Sequence, residues 1–290
     1  MPHTGGGSKR SISILSLLRN PNFKTKSTSS SSSTLMATPL QVYASSTIDA
    51  PNDAMDAASP GLVGANDLLI VGPGVLGRLV AQKWREEHPG CQIFGQTVTT
   101  DHHDELIKIR INPSLKETKA THKFPYVVFC APPSRTPDYP GDVREAVSSW
   151  SGEGSFLFTS SSAPYDCNDN GSCDEDSPVV PIGRSPRTDV LLKAEKAVLE
   201  SGGSVIKVHM FIGWRKVLLT LVQITSSILY TTRQQIMDLV NKSGKFSKKF
   251  ESFTGTSDPL GKKLNNMKTR EQLRWEPKYP SFAQFLGVSL

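Results

Sequence analysis

The stretch Leu68-Leu69-Ile70-Val71-Gly72-Pro73-Gly74-Val75-Leu76-Gly77-Arg78-Leu79-Val80 decides how the rest of this 290-residue chain is read. An apolar run short enough for a buried strand passes into Gly72, Gly74 and Gly77. It then takes up the spacing of a helix through Leu76, Leu79, Val80 and Trp84. Strand, glycine turn and helix in that order are the setting in which GxGxxG acts as a dinucleotide-binding fingerprint. Each glycine has its own expected job: Gly72 permits the tight turn, Gly74 leaves room for a pyrophosphate, and Gly77 lets helix and strand pack closely. The first amides of the new helix would face the phosphates, where the helix dipole favours negative charge. On that reading Gly72, Pro73, Gly74, Val75, Leu76 and Gly77 form the cofactor turn. The alternative is a purely structural glycine turn.

Downstream, strands and helices alternate. Cys91 to Gly95, Tyr126 to Ala131, Ser155 to Thr159 and Ser204 to Val208 read as strands. Arg187 to Glu200 reads as a helix with Val190, Leu191, Ala194, Ala197 and Val198 on one face. This alternation implies a doubly wound parallel α/β sheet covered on both faces. Ligands of such sheets collect beyond the carboxyl ends of the strands. That directs attention to four loops: Gly72 to Gly77, Thr97 to His102, Ala131 to Arg135 and Ser160 to Tyr165. The second strand ends Gly95-Gln96-Thr97-Val98-Thr99-Thr100-Asp101, with neither an acid for a ribose nor an arginine for a 2′-phosphate directly at its end. Thr97 and Thr99 could hydrogen-bond either group, which tilts the expected cofactor to NADP over NAD. The adjacent His102 and His103 read as solvent-exposed.

Charge distribution excludes a nucleic-acid reading. The net charge is +6, yet residues 1–48 carry Lys9, Arg10, Arg19, Lys24 and Lys26 with no acid. Residues 233–290 carry eleven Lys or Arg against five Asp or Glu, so the centre is left net negative. The phenylalanines among Lys242, Lys245, Lys248 and Lys249 therefore read as a solvated helix end and loop. Residues 1–48, serine-rich and acid-poor, have the bias of an organellar transit peptide, chloroplast before mitochondrion; the alternative is a disordered cytoplasmic tail. Residues 49–64 read as a linker.

Four cysteines are few for this length and show no CxxC spacing, so neither a zinc site nor a structural disulfide framework is expected. Cys91 and Cys130 read as buried small hydrophobes. Cys167 and Cys173 share an exposed-looking loop in which a redox pair is the alternative reading. No metal site is expected at Asp174 to Asp176, which reads as a solvated acidic loop.

Residues 65–208 resemble the extended or atypical branch of the short-chain dehydrogenase/reductases, the NAD-dependent epimerase/dehydratase family, in particular its plant plastid members. The resemblance rests on Val71 to Arg78, on Phe129-Cys130-Ala131-Pro132-Pro133, on Phe158-Thr159-Ser160-Ser161-Ser162-Ala163-Pro164-Tyr165, and on Asp174 to Pro178. Lys193 to Ala197 and the closing Leu273 to Phe282 complete it. It implies a Rossmann domain over 65–208, with the dinucleotide over the glycine turn, Thr97, Ala131, Pro132 and Pro133. It also implies hydride transfer at a small carbonyl or sugar-nucleotide-like substrate, with Ser161 or Ser162 orienting it and Tyr165 as candidate acid. The family's Tyr and Lys, four residues apart on one helix, fall here on Arg187 and Leu191, or in other registers on Asp189 or Leu192 at the tyrosine position. No register restores the pair. This leaves open a non-catalytic NADP-binding regulatory or scaffold protein, or a truncated inactive isoform.

Beyond Val208 the pattern departs from the resemblance. Residues 209–232 form an atypical apolar segment in which the clean run Val217 to Tyr230, interrupted by Gln223, Ser226 and Ser227, is shorter than a membrane span. Residues 233–290 read as a helical and irregular segment, so the substrate region is short and incomplete. Its aromatic and proline-rich end, Trp275 to Phe285, is expected to form an irregular lid on the sheet. Nothing in the sequence fixes an oligomeric state.

Overall fold

A computed structural model describes residues 63–118, 122–167, 171–208, 233–247, 249–251, 262–274, 276, 279 and 281–288. The expected transit peptide, all of the linker but residues 63 and 64, and the apolar segment 209–232 lie outside the described residues. Six strands form one wholly parallel sheet: β1 (Leu68–Val71), β2 (Ile93–Thr97), β3 (Asn112–Leu115), β4 (Phe124–Phe129), β5 (Trp150–Ser161) and β7 (Ser204–Val208). Their order across the sheet is β3-β2-β1-β4-β5-β7. Strand order therefore reverses at β1, whose partners are β2 on one side and β4 on the other. A second, two-stranded parallel sheet pairs β6 (Gly171–Cys173) with β8 (Lys262–Leu264).

Side-chain alternation along β1 explains the double winding. Leu68 and Ile70 point to one face, where they pack with Val80, Ala81 and Trp84 of helix α1 (Val75–Glu87) and with Leu106 of α2 (His103–Lys108). Leu69 and Val71 point to the other, into a core shared with Tyr139 and Val143 of α3 (Tyr139–Ser148) and with Leu191, Ala194 and Val198 of α4 (Pro186–Glu200). A strand buried on both faces reads as a continuous apolar run, and β1 is one. Asp67, also buried, ties β1 to its surroundings: its carboxylate accepts from the amides of Gly64 and Gln92, both at 2.8 Å.

Several expectations change. The second strand runs from Ile93 to Thr97 rather than Cys91 to Gly95, which puts Thr97 inside the sheet as the partner of Leu115. β3 was not foreseen, since Asn112-Pro113-Ser114-Leu115 lacks an apolar run; as an edge strand it tolerates the proline. Helix α4 carries the expected apolar face and, within it, the buried Glu195. Of the expected lid, Trp275 lies outside the described residues, and the described aromatics form a cluster apart from the two cores of the sheet. Phe282 and Leu286 of α7 (Phe282–Leu286) pack with Val240 of α5 (Arg233–Ser243), joined by Phe246, Phe250, Tyr279 and Phe285, in a separate small cluster. The apolar face of α5 takes that cover. Phe246 and Phe250 therefore serve packing, and Lys245 donates to the Phe285 carbonyl at 3.1 Å.

Candidate functional site

The three glycines of the first turn meet three different physical demands. Gly72 has φ +75°, and a Cβ there would lie 2.6 Å from Ala131 Cα, so the turn after β1 crosses the end of β4 at a distance only glycine allows. At Gly77 a Cβ would lie 2.8 Å from Ile70 Cγ2: the side chain is missing where α1 presses on β1. Gly74 differs. Its Cβ would meet nothing nearer than Gly72 O at 3.9 Å, and the residue is exposed. It is also the N-terminal cap of α1, with no side-chain cap and no acid in the first turn. The helix thus presents unpaired amides and its positive end to open space at the point of strand reversal. The diphosphate of a dinucleotide fits such a cradle.

Around it, Pro73 is buried against Gly95 of β2, where a Cβ would approach its Cγ to 3.1 Å. Val75 and Leu76 are half-buried. Ala131 holds its place through its carbonyl, which accepts from the Tyr139 hydroxyl at 2.7 Å, and Pro132 and Pro133 lead exposed into a short 3-10 turn (Pro133–Arg135). The Thr97 hydroxyl is already engaged, 2.7 Å from His103 Nε2 and 3.3 Å from the Ser114 carbonyl. Thr99 donates to Asp101. His103 is therefore held against Thr97 rather than standing free in solvent, while His102 is exposed beside Glu105. Arg78, immediately after the last glycine, reaches from α1 to Glu105 of α2 at 2.8 Å. This places a guanidinium at the first turn of the helix after the β2 loop, and its position directly after Gly77 is the available signal.

The second cluster lies at the carboxyl ends of β5 and β7, where Ser160 and Lys207 are register partners, and in the loop that follows β5. Ser160, buried, donates to Glu195 Oε1 at 2.6 Å, and Glu195 Oε2 pairs with Lys207 Nζ at 3.3 Å. The Lys207 ammonium stands 4.3 Å from the centroid of the Tyr165 ring. Ser161 accepts from the Ala163 amide at 3.1 Å, the turn-capping role open to any serine at a strand end, and Ser162 is buried at 4 % exposure. Tyr165 is half-buried and bridged to Val179. Burial, then the charges of Glu175, Glu195 and Asp174, push its phenol up to about 12, so it is a proton-holding donor at neutral pH. Lys262 of β8 donates to the carbonyls of Ser162 and Ala163 at 3.1 and 2.8 Å and to that of Tyr165. Sequence spacing gave no signal for Glu195, Lys207 or Lys262, because each reaches the loop from a different element.

On α4, Arg187 is exposed and Leu191 is packed in the core, so neither carries proton chemistry. The acidic loop also differs from expectation. Glu175 accepts from the Thr269 amide at 2.7 Å and Asp176 pairs with Lys268, so two of its carboxylates hold helix α6 (Met267–Leu273). Among the described residues no cluster of potential metal ligands occurs. Nor is any described helix long and apolar enough to cross a membrane. Cys167 and Cys173 are joined in a disulfide, and Cys173 is fully buried on β6, which corrects the exposed-loop expectation. A groove of about 610 Å³ lined by Arg85, Cys91 and Arg110 opens at the amino ends of β2 and β3, the edge of the sheet opposite Gly74.

No protein-family model and no curated protein matches the sequence. Solved structures do match in shape. A functionally unknown conserved protein from Silicibacter pomeroyi aligns at 14% identity and TM-score 0.54 over 76% of this chain and 96% of its own. The UDP-glucuronic acid 4-epimerase of Bacillus cereus, solved with NAD, aligns at 12% identity and TM-score 0.52 over 76% and 96%. Gre2 of Candida albicans, solved with NADPH, aligns at 12% identity and TM-score 0.51 over 77% and 97%. Together with the strand order, these likenesses define the fold class: a Rossmann-like parallel α/β sheet with helices on both faces, the architecture these solved structures share.

Proposed function

We propose that the chain binds a nicotinamide dinucleotide across Gly72 to Gly77 and Ala131 to Pro133, and is an oxidoreductase of the epimerase/dehydratase-like type. The observation that carries this is the division of labour among the glycines. Two lack a side chain because contacts inside the protein leave no room for one, whereas no internal contact crowds the Cβ position of Gly74, which leaves the helix end open to a ligand. Neighbours of the same architecture were solved with NAD or NADPH, which supports the same cofactor class here. When bound, such a cofactor supplies or accepts hydride. The chain's part is to seat the diphosphate on the α1 amides and to offer, through Tyr165, a protonated phenol to the oxygen of a small carbonyl or sugar-nucleotide-like substrate. With Ser161 capping its turn and Ser162 buried, Tyr165 bears more of that role than the serines.

Within this reading NADP is favoured over NAD: Thr97 and Thr99 are engaged inside the protein, whereas Arg78 brings a guanidinium from the cofactor turn to Glu105 in the helix that follows the loop after β2. The plastid address of residues 1–48 belongs to the same proposal and rests on their composition alone.

A second reading, a dinucleotide-binding protein without turnover, is favoured by the core-packed Leu191 and exposed Arg187 at the positions where the resemblance expects lysine and tyrosine. One experiment separates the two. Titration with NADPH and NADH followed by tryptophan fluorescence should show saturable binding, tighter for NADPH. Absorbance at the reduced-nicotinamide band is then followed against aldehydes, ketones and nucleotide sugars. Binding with turnover supports the first reading, binding without turnover the second, and no binding removes both.

A further inference from the structure

The bridge between Cys167 and Cys173 has no part in the dinucleotide reading, and the two sulfurs occupy unequal positions. Cys167 follows Tyr165 by two residues and keeps accessible surface, whereas Cys173 is fully buried on β6. β6 pairs with β8, register Gly171 with Lys262 and Cys173 with Leu264, and the Cys173 carbonyl accepts from the Asn265 amide at 2.6 Å. Lys262 of the same β8 strand donates to the carbonyls of Ser162, Ala163 and Tyr165. A covalent link and an ammonium therefore fasten one loop to one strand pair from two sides.

We propose that Cys167 and Cys173 are a reversible thiol–disulfide exchange site, opened by a dithiol reductant, whose state sets how firmly the segment Ser162 to Cys167 is held. Access dictates the direction of attack. A thiolate of the dithiol reaches Cys167 Sγ and forms a mixed disulfide, while the Cys167–Cys173 bond breaks and Cys173 leaves as a thiolate that takes up a proton. The second thiol of the reductant then closes its own disulfide and releases Cys167 as a thiol. Two electrons pass from the dithiol to the bridge, and oxidised glutathione reverses the exchange. The other two cysteines do not compete: burial raises the thiol pKa of both, that of Cys130 to about 12, which disfavours the thiolate.

Opening the bridge leaves the loop its weaker ties. These include the Lys262 bonds, the Asp166–Arg184 ion pair at 2.9 Å, the Asp166 amide to the Pro178 carbonyl at 2.7 Å, the Val180 amide to the Pro164 carbonyl at 2.8 Å, and Lys207 over the Tyr165 ring. None of them involves the β1–α1 turn, so the glycine cradle should not respond.

The full chain is treated with dithiothreitol and then with oxidised glutathione, with thiols trapped by alkylation and amide hydrogen exchange measured in each state. The expected result is that Cys167 and Cys173 become alkylable while the chain stays folded, and close again on reoxidation. Amides of 162–167 and 171–180 should exchange at least tenfold faster when the bridge is open, and those of 68–80 should not change. Cys167→Ser should exchange fast in the same segments without reductant, and Cys91→Ser should keep the full redox response. Three results would each overturn the proposal: four free thiols in the untreated protein, a bridge that opens only as Cys91 and Cys130 become alkylable in global unfolding, or identical exchange in the two redox states.

Discussion

The β1–α1 turn and the loop after β5 lie at the carboxyl edge of one sheet with only β4 between their strands, yet they are held by opposite means. Around Gly72 to Gly77 the constraints are backbone geometry and close packing, supplied by residues a few positions away or on adjoining strands. Around Ser160 to Tyr165 they are side chains brought from far along the sequence: Glu195 from α4, Lys207 from β7, and Lys262 about a hundred residues on. Even the acidic loop that follows is occupied by Lys268 and the Thr269 amide. A site built from backbone tolerates few residue types but can be recognised from a short motif. A site built from distant side chains can change its chemistry with one substitution and carries no local signature.

Exchanging side chains within the turn tests this contrast most severely. Gly72→Ala places a methyl group 2.6 Å from Ala131 Cα at a φ of +75°. The combined strain and overpacking should cost about 4 kcal/mol, measured as a fall in ΔG of urea unfolding. Gly74→Trp should behave in reverse, because open space surrounds its Cβ. Unfolding midpoints should stay within about 0.5 kcal/mol of the parent, while nucleotide affinity falls at least ~100-fold, equivalent to about 2.7 kcal/mol. If both glycines proved equally destabilising and neither changed affinity, the turn would be structural and the contrast would collapse.

The same contrast explains what could be read from the sequence. Leu68 to Val71 followed by Gly72 identifies a buried strand and its turn because burial on both faces demands a continuous apolar run, and the reversal of strand order demands a tight exit. β3 was invisible because an edge strand containing Pro113 needs neither an apolar run nor alternation. Thr97 was expected to be free for a ligand because spacing cannot show that His103, six residues later, closes on its hydroxyl. The aromatics near the end were assigned to the right task, burial, but to the wrong partner, since their composition does not record the apolar face of α5. Glu195 stood among apolar neighbours on a helix and would pass for a solvated residue. Only the meeting of β5, α4 and β7 shows it to be buried and paired.

That buried carboxylate allows the loop side of the comparison to be tested. Glu195→Ala removes the acceptor of the Ser160 hydroxyl and leaves Lys207, at 18 % side-chain exposure, without its partner. The expected loss is about 2–3 kcal/mol, with a weaker near-ultraviolet circular-dichroism signal from Tyr165, whose ring Lys207 covers. Glu195→Gln keeps one acceptor and should recover part of the loss, about 1 kcal/mol. Equal stability of the two variants would mean that the charge, rather than the hydrogen bond to Ser160, is what the loop uses.

The smallest effect expected lies on the turn's side and appears only in alkali. Cys130 ends the run from β4 into Ala131, and although the residue keeps some accessible surface, desolvation of its thiol pushes the pKa from 9.0 up to about 12. In the unfolded chain that thiol releases its proton near pH 9, whereas in the folded chain it keeps it. Unfolding therefore releases a proton, and stability is lost progressively as pH rises from about 9 toward 12. The phenols of Tyr139 and Tyr165, both raised by burial, add losses of the same sign beginning near pH 10. Because the thiol window opens about one pH unit below the two phenol windows, the thiol can be isolated. Between pH 8 and pH 10, Cys130→Ala should lose about 1 kcal/mol less than the parent, read from urea unfolding at each pH. Parallel pH profiles would show that the thiol ionises as freely in the fold as outside it.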